Sequence, residues 1–477
     1  MKKLYDKNEP IMHERIERVH FIGIGGVGMC GLAEILLNQG YQVSGSDRAD
    51  SAAIKRLREL GASVSVGHSA EHIHVADVVV KSSAVADDNV ELQTALAKNI
   101  PVILRGEMLA ELVRQHYTIA IAGTHGKTTT TSLTTSVLIE AGMDPMFVIG
   151  GKLNSAGVNA RLGSSHYAVV EADESDASFL YLQPTIAVIG NIEADHLETY
   201  GNDFSQLEAA FIKFSKQLPF YGLGVVCIDD PIVKKLLPDI KRSVLTYGFS
   251  EGADIQALNL EEDGLYSIFT VKRSANRTEL KVKLNMPGRH NVLNALAAIV
   301  VATELDVADD AICNALENFS GVGRRLQIHG ELDFNHKKIL LVDDYGHHPT
   351  AVSATIKAAK QAWPDRRVLF AFQPHRYSRV QALFDEFAQA LSASDALLVL
   401  DIYSAGEAVI PGVDSQALCQ RIVECQGVKP IYVGAEENLP AALADVAQEN
   451  DVLLMQGAGS IGKLALEMAE RYKILKI

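Results

Sequence analysis

The sequence predicts an α/β protein of three domains, and three observations point there. Short apolar runs alternate with helical segments along most of the 477 residues, which is the pattern of βαβ units. Glycine-rich turns stand between an apolar run and a helical segment at Gly23–Met29 and again at Gly123–Thr129. Between Ser243 and Met286 the pattern changes, and Tyr266–Val271 and Leu280–Leu284 alternate apolar and polar residues, as antiparallel hairpin strands do.

The first domain, residues 1–117, has candidate strands at Val19–Ile22, Gln42–Ser44, Ser63–Val66, Asp77–Lys81 and Pro101–Leu104. Its first turn, Gly23-Ile24-Gly25-Gly26-Val27-Gly28-Met29, lets a diphosphate rest on a helix N-terminus. Asp47 follows the next strand, where a carboxylate accepts hydrogen bonds from ribose hydroxyls. This is a Rossmann-like arrangement. NAD is one reading of it, but any nucleoside diphosphate, a nucleotide-sugar included, presents the same pyrophosphate and ribose.

The second domain, residues 118–324, opens on the apolar run Thr118–Ala122 and the turn Gly123-Thr124-His125-Gly126-Lys127-Thr128-Thr129. A polyphosphate needs closely approaching backbone N–H groups, a helix N-terminus, a lysine for the terminal phosphates and a hydroxyl for Mg²⁺. Gly123, Gly126, Lys127 and Thr128 supply these in order, although the first glycine stands nearer the second than in the common P-loop. The expected architecture is a P-loop ATPase-type parallel sheet with antiparallel hairpins, ending in the helical stretch His290–Leu305. The candidate strand Tyr167–Val170 empties into Glu171-Ala172-Asp173-Glu174-Ser175-Asp176. Carboxylates at that end of a parallel strand sit where ligand binds and can hold Mg²⁺. The next candidate strand, Thr185–Ile189, leads to Asp195-His196, so His196 joins Glu171 at one sheet edge.

The third domain, residues 325–477, is again Rossmann-like, with strands expected at Lys338–Val342, Val368–Phe372, Ala396–Leu400, Ile431–Val433 and Val452–Met455. Polar clusters at Asp343–Pro349, Gln373–Arg379 and Asp401–Glu407 put three consecutive strand ends on one crevice. Arg376 and Arg379, three apart, can share a helical turn and clamp a carboxylate. Gln456–Gly462 repeats the glycine pattern and reads as a tight structural turn.

Composition narrows the function. A formal charge of −15 and a pI near 5.5, with no block of Lys and Arg, argue against nucleic-acid binding. Met1–Arg18 lacks the apolar core of a signal peptide and no run approaches a membrane span, so a cytoplasmic location without membrane contact is expected. The five cysteines lack zinc-ligand spacing, and an odd number cannot all pair.

Taken together, the Gly23–Met29 turn, Gly123–Thr128, Glu171–Asp176, Asp195-His196, Arg289-His290-Asn291, Asp343–Pro349 and Gln373–Arg379 resemble the cytoplasmic Mur ligases of bacterial peptidoglycan synthesis over nearly the whole chain. The resemblance implies a UDP-sugar domain, an ATPase domain and an amino-acid domain. It implies ATP and Mg²⁺ as cofactors and UDP-N-acetylmuramate and L-alanine as substrates, joined through an acyl phosphate, in a monomer or weak homodimer. Murein tripeptide in place of L-alanine is the alternative within the family. A nicotinamide dehydrogenase would leave the Lys127 turn unexplained, and a noncatalytic UDP-sugar sensor would not need Lys127, Glu171 and His196.

Matched by position, the resemblance gives Lys127, His196, His347, Arg376 and Arg379 catalytic roles. It gives ATP contacts to Gly123, Thr124, His125, Gly126, Lys127, Thr128, Thr129, Asn291, Arg324 and Asp343. Gly25, Gly26, Gly28, Asp47, His68, Ser82, Arg105 and Tyr345 fall to the UDP-sugar, and Thr128, Glu171 and His196 to Mg²⁺. The carbamylated lysine of several relatives is not expected, because Phe211 and Ile212 occupy that neighbourhood and Lys213 is out of step.

Overall fold

The structure is a computed structural model and describes residues 15–273 and 278–472. The reading of Met1–Arg18 therefore falls mostly outside the described residues. The chain divides into two compact units, one of Met1–Leu258, Thr270–Val282 and Leu293–Phe319, the other of Asn259–Phe269, Lys283–Val292 and Ser320–Ile477.

The apolar runs of the first domain become β1 (Arg18–Ile22), β2 (Gln42–Asp47), β3 (Ser63–Val66), β4 (Val78–Lys81) and β5 (Val102–Leu104). They form a parallel sheet in the order β3-β2-β1-β4-β5. Helices on both faces bury the central strands, which explains their nearly continuous apolar character. His20 is a polar exception inside β1, at 1% exposure. The turn after β1 stands centrally, with the exits of β2 and β3 successively outward on one side.

The second sheet comprises β6 (Tyr117–Ala122), β7 (Met146–Leu153), β8 (Val158–Arg161), β9 (Tyr167–Glu171), β10 (Ile186–Ile189), β11 (Leu223–Cys227), β12 (Ser243–Gly248), β13 (Ile255–Asp263), β14 (Tyr266–Lys272) and β15 (Leu280–Leu284). Its order is β15-β14-β13-β12-β11-β10-β6-β9-β7-β8. The phosphate-loop strand β6 lies between β9 and β10, pairing in parallel with both. Glu171 and the Asp195-His196 segment consequently flank the loop on opposite sides. The antiparallel pair β7–β8 is absent from the sequence reading, since Gly150 and Gly151 interrupt the run that builds β7.

The third sheet holds β16 (Gln327–Phe334), β17 (Lys337–Asp344), β18 (Val368–Phe372), β19 (Ala396–Leu400), β20 (Ile431–Gly434) and β21 (Val452–Gln456). The order β16-β17-β21-β18-β19-β20 corrects one expectation. The exits of β17, β18 and β19 are not consecutive, because the wholly buried β21 is inserted between β17 and β18. Strand β16, unanticipated, pairs antiparallel to β17 with an irregularity between Ile328 and Gly330 that breaks its alternation. Among the described residues no helix is long and apolar enough to cross a membrane.

Candidate active site

In the first unit, β6 ends at Ala122, and the helix Lys127–Glu140 begins four residues after Gly123. Gly123 and Gly126 have φ of +138° and +80°, a region that side chains with a Cβ rarely occupy. Space is also tight at both positions. A Cβ on Gly123 would lie 3.2 Å from the Asn191 backbone N and O, and one on Gly126 would lie 2.5 Å from Asn294 Oδ1. Asn191, at the exit of β10, holds the turn from the other side. Its Oδ1 accepts from the His125 N–H at 2.8 Å, its Nδ2 donates to the His125 carbonyl at 2.9 Å, and its own carbonyl accepts from the Thr124 N–H at 3.1 Å. Thr128 and Thr129 open the helix and are buried.

Lys127 Nζ donates to the carbonyls of Gly123 and Thr124 at 2.8 and 3.3 Å and to Glu174 Oε2 at 2.6 Å. Burial pushes this ammonium toward neutrality, but the charges of Glu174, Asp173 and Glu171 outweigh it and hold the pKa above its ordinary value. Glu174 is 1% exposed. Burial, aided by Asp173 and opposed by Lys127, raises its carboxyl to about 7. Lys127 is thus a protonated donor bridging its own loop to the acidic segment after β9.

Glu171 closes β9, and its Oε1 accepts from the Gly150 N–H at 2.7 Å. A Cβ on residue 150 would stand 2.8 Å from Oε2, so Gly150 gives the carboxylate its room. Asp173 accepts from Arg105 at 3.3 Å. Burial raises the Asp173 carboxyl, yet Lys127 and Arg105 bring it below its ordinary value. His196 occupies a left-handed position, φ +55°, and its Nε2 lies 3.6 Å from Asp195 Oδ2.

A cavity of about 320 Å³ opens over the first sheet, with Gly23, Gly26, Asp47, His68 and Ser82 in its lining. A second, of about 310 Å³, shares Gly23, Gly26 and Ser82 with it and continues past Gly28 and Arg105 to Glu171. Asp47 also braces the glycine turn, its Oδ2 accepting from the Gly25 N–H at 2.9 Å. Arg105 stands over Gly28, where a Cβ would meet its Cδ at 3.0 Å, and reaches the acidic segment rather than the cavity of Asp47 and His68.

In the second unit, Arg324 donates to Asp343 Oδ2 at 3.3 Å and to the Gly457 carbonyl at 2.5 Å, with its guanidinium 5.0 Å from the Tyr345 ring centre. A Cβ on Gly462 would overlap that guanidinium, so the Gln456–Gly462 turn has a structural task, seating Arg324. Asn291 is buried in the first turn of the helix Arg289–Glu304 and donates to the Pro287 carbonyl at 2.8 Å.

Rings form a train at this sheet edge. Tyr345 and His347 lie 5.3 Å apart, His347 and His375 5.6 Å, and His375 stacks on Tyr403 at 5.6 Å and 8°. Arg379 is buried on the helix Tyr377–Ala382, with Nη1 3.3 Å from His375 Nδ1. Arg376 precedes that helix at φ +68°, its N–H donating to the Tyr403 carbonyl at 2.8 Å. The two arginines therefore do not share a helical turn. The positive φ at Arg376 sends the chain into the helix one residue later than their spacing implied.

Sequence reading gave no role to Glu174, Asn191, Asn294 or Gly150. The first two lay inside strand-exit runs already marked, which was the available signal. The others act from a distance in sequence that spacing cannot reveal.

Three family models match in succession: "Mur ligase family, catalytic domain" over residues 18–117, "Mur ligase middle domain" over 121–302 and "Mur ligase, glutamate ligase domain" over 324–459. Among solved structures, the UDP-N-acetylmuramate-alanine ligase of Thermotoga maritima is 30% identical over 96% of this chain and 99% of its own, with a TM-score of 0.81. The chain belongs to the Mur ligase family. Family membership makes it an ATP-dependent ligase of peptidoglycan precursor synthesis.

The UDP-N-acetylmuramate:L-alanyl-γ-D-glutamyl-meso-diaminopimelate ligase of Neisseria meningitidis is 32% identical over 65% of this chain and all of its own, with a TM-score of 0.60. A MurF ligase of Thermotoga maritima in complex with ADP, 18% identical over 90% of this chain and 95% of its own (TM-score 0.61), shares the fold.

Proposed function

We propose that this Mur ligase joins L-alanine to the lactyl carboxylate of UDP-N-acetylmuramate, hydrolysing ATP to ADP and phosphate. The observation that carries this reading is the Gly123–Lys127 loop with Glu171 beside it, in a chain similar end to end to the Thermotoga alanine ligase. We assign residues 1–117 to the UDP-sugar, 118–324 to ATP and 325–477 to the amino acid, and place the reaction in the cytoplasm.

The loop amides and Lys127 bind the β- and γ-phosphates and spread the charge that builds during transfer. A lactyl carboxylate oxygen attacks the γ-phosphorus and ADP leaves. The neutral amine of alanine then attacks the acyl carbon, and the tetrahedral intermediate collapses to the amide as phosphate departs. His347, Arg376 and Arg379 orient the carboxylates, Asn291, Arg324 and Asp343 contact the nucleotide, and Asp47, His68, Ser82 and Tyr345 hold the UDP-sugar.

The Thr128 hydroxyl and Glu171 carboxylate are hard oxygen donors that suit Mg²⁺, and the missing Cβ at Gly150 makes room for that carboxylate. His196 would supply a nitrogen to a second ion. When bound, Mg²⁺ neutralises phosphate charge.

The likeness to the Neisseria ligase favours one second reading, tripeptide in place of alanine. Phosphate release with ATP, Mg²⁺ and UDP-N-acetylmuramate, adding L-alanine, tripeptide or neither, tests both. Release that needs L-alanine supports the first reading, release that needs tripeptide supports the second, and none with either contradicts both.

A further inference from the structure

Behind the cavity that holds Asp47 and His68 lies a carboxylate with no part in the mechanism above. Glu91, in the first turn of the helix Val90–Ala97, is completely buried. The Ser46 hydroxyl donates to its Oε2, and the Ser69 N–H donates to Oε1 at 3.2 Å. His72 Nδ1 stands 2.6 Å from Oε1, while His68 Nδ1 and His20 Nε2 stand 3.3 and 3.5 Å from Oε2. Burial alone would raise this carboxyl, but the contacts from His20, Ser46 and His72 outweigh burial and bring it down to about 2.

The proton positions follow from donor counting. An ionised carboxylate only accepts, and a serine hydroxyl has one proton. Ser46 spends that proton on Glu91, so toward His68 Nδ1, 2.9 Å away, its oxygen can only accept. Both polar neighbours of His68 Nδ1 are acceptors, and Nδ1 therefore carries the hydrogen. In the neutral ring Nε2 is left as a lone pair, on a residue that lines the cavity.

Topology says what that lone pair meets. The exits of β1, β2 and β3 are successive neighbours and carry the glycine turn, Asp47 and His68. With the diphosphate on the turn and the ribose at the acidic exit, the base, bonded beyond the ribose, continues toward the next exit outward, that of His68.

We propose that Glu91 is a positioning residue that fixes His68 as its Nδ1–H tautomer, so that Nε2 accepts the imide N3–H of uracil and the cavity selects uridine over cytidine nucleotides. The inference rests on assigning this cavity to the UDP moiety. Cytosine has no hydrogen on N3, so lone pair would face lone pair, and a hydrogen bond lost in this way corresponds to a preference of about 10- to 100-fold.

Two measurements on the full chain test it. Imidazole ¹⁵N NMR of the wild type, with His68 assigned from His68→Gln, needs no folded Glu91 variant. A protonated Nδ1 and bare Nε2 are expected, and a proton on Nε2 would overturn the proposal. Calorimetric titration with UDP and CDP should show the uridine preference in wild type and its collapse in Glu91→Gln, whose amide can donate toward His68 and reverse the tautomer. ATP affinity, read in parallel, should be unchanged. An unaltered UDP-to-CDP ratio in a Glu91→Gln protein that still binds ATP would refute the role of Glu91. If His68→Gln leaves UDP affinity untouched, the assignment of the cavity itself fails, whatever the tautomer.

Discussion

Replacing Gly126 with alanine separates a built phosphate cradle from an ordinary glycine turn. Residue 126 sits at φ +80°, and holding a non-glycine residue there costs about 1–2 kcal/mol. The new methyl would also lie 2.5 Å from Asn294 Oδ1, which accepts a 3.1 Å hydrogen bond from Thr130. Displacing Asn294 forfeits that bond, worth about 1 kcal/mol. The combined cost is then about 2–3 kcal/mol.

The chain can meet this cost in two ways. A loop that keeps its shape loses the full amount from folding stability, whereas a loop that relaxes keeps part of its stability and loses nucleotide affinity. The expected result is that the change in unfolding free energy and the change in ATP binding free energy together reach about 2–3 kcal/mol. Denaturant unfolding and calorimetric ATP titration of Gly126→Ala and wild type measure the two parts. A variant unchanged in both would refute the strain argument and the loop geometry it rests on.

Lys127→Ala should abolish turnover while UDP-sugar affinity stays nearly that of wild type; parallel loss of both would contradict separate sites, as calorimetry with UDP-N-acetylmuramate would reveal. Arg376→Ala should weaken use of the UDP-sugar or amino acid without removing ATP binding, and unchanged steady-state kinetics would take Arg376 out of the site. Glu174 gives a pH signature. Its carboxyl rises from an ordinary 4.5 to about 7 on folding, so the native state binds the extra proton and the contribution of Glu174 to stability declines as pH rises through that interval. Relative to Glu174→Gln, wild type should lose up to about 3 kcal/mol between pH 4.5 and pH 7, and parallel stability curves in denaturant would contradict this.

The phosphate loop was legible because its chemistry is local: two glycines, a lysine and a hydroxyl within six residues directly after a strand. Apolar runs likewise located the parallel strands of the first and third sheets and β6, β9 and β10 of the second, but not β7, β12 or β13, which also pair in parallel. Strand order was not legible, since nothing in Val452–Gln456 says that the last strand enters between β17 and β18. The hairpin β7–β8 escaped for the related reason that one of its glycines, Gly150, makes room for the Glu171 carboxylate of the neighbouring strand β9. Long-range partners stayed hidden altogether. Asn294 beneath Gly126, Glu174 on Lys127, and the gathering of His20, His68 and His72 around Glu91 are contacts between segments whose spacing carries no period.

The central claim is that the carboxylate is activated by phosphoryl transfer before alanine attacks. UDP-N-acetylmuramate labelled with ¹⁸O in its lactyl carboxylate tests this directly when incubated with the protein, ATP, Mg²⁺ and L-alanine. One labelled oxygen in each phosphate released, with a product heavier by one alanyl residue, is the expected result. Product formed with unlabelled phosphate would contradict the acyl-phosphate route.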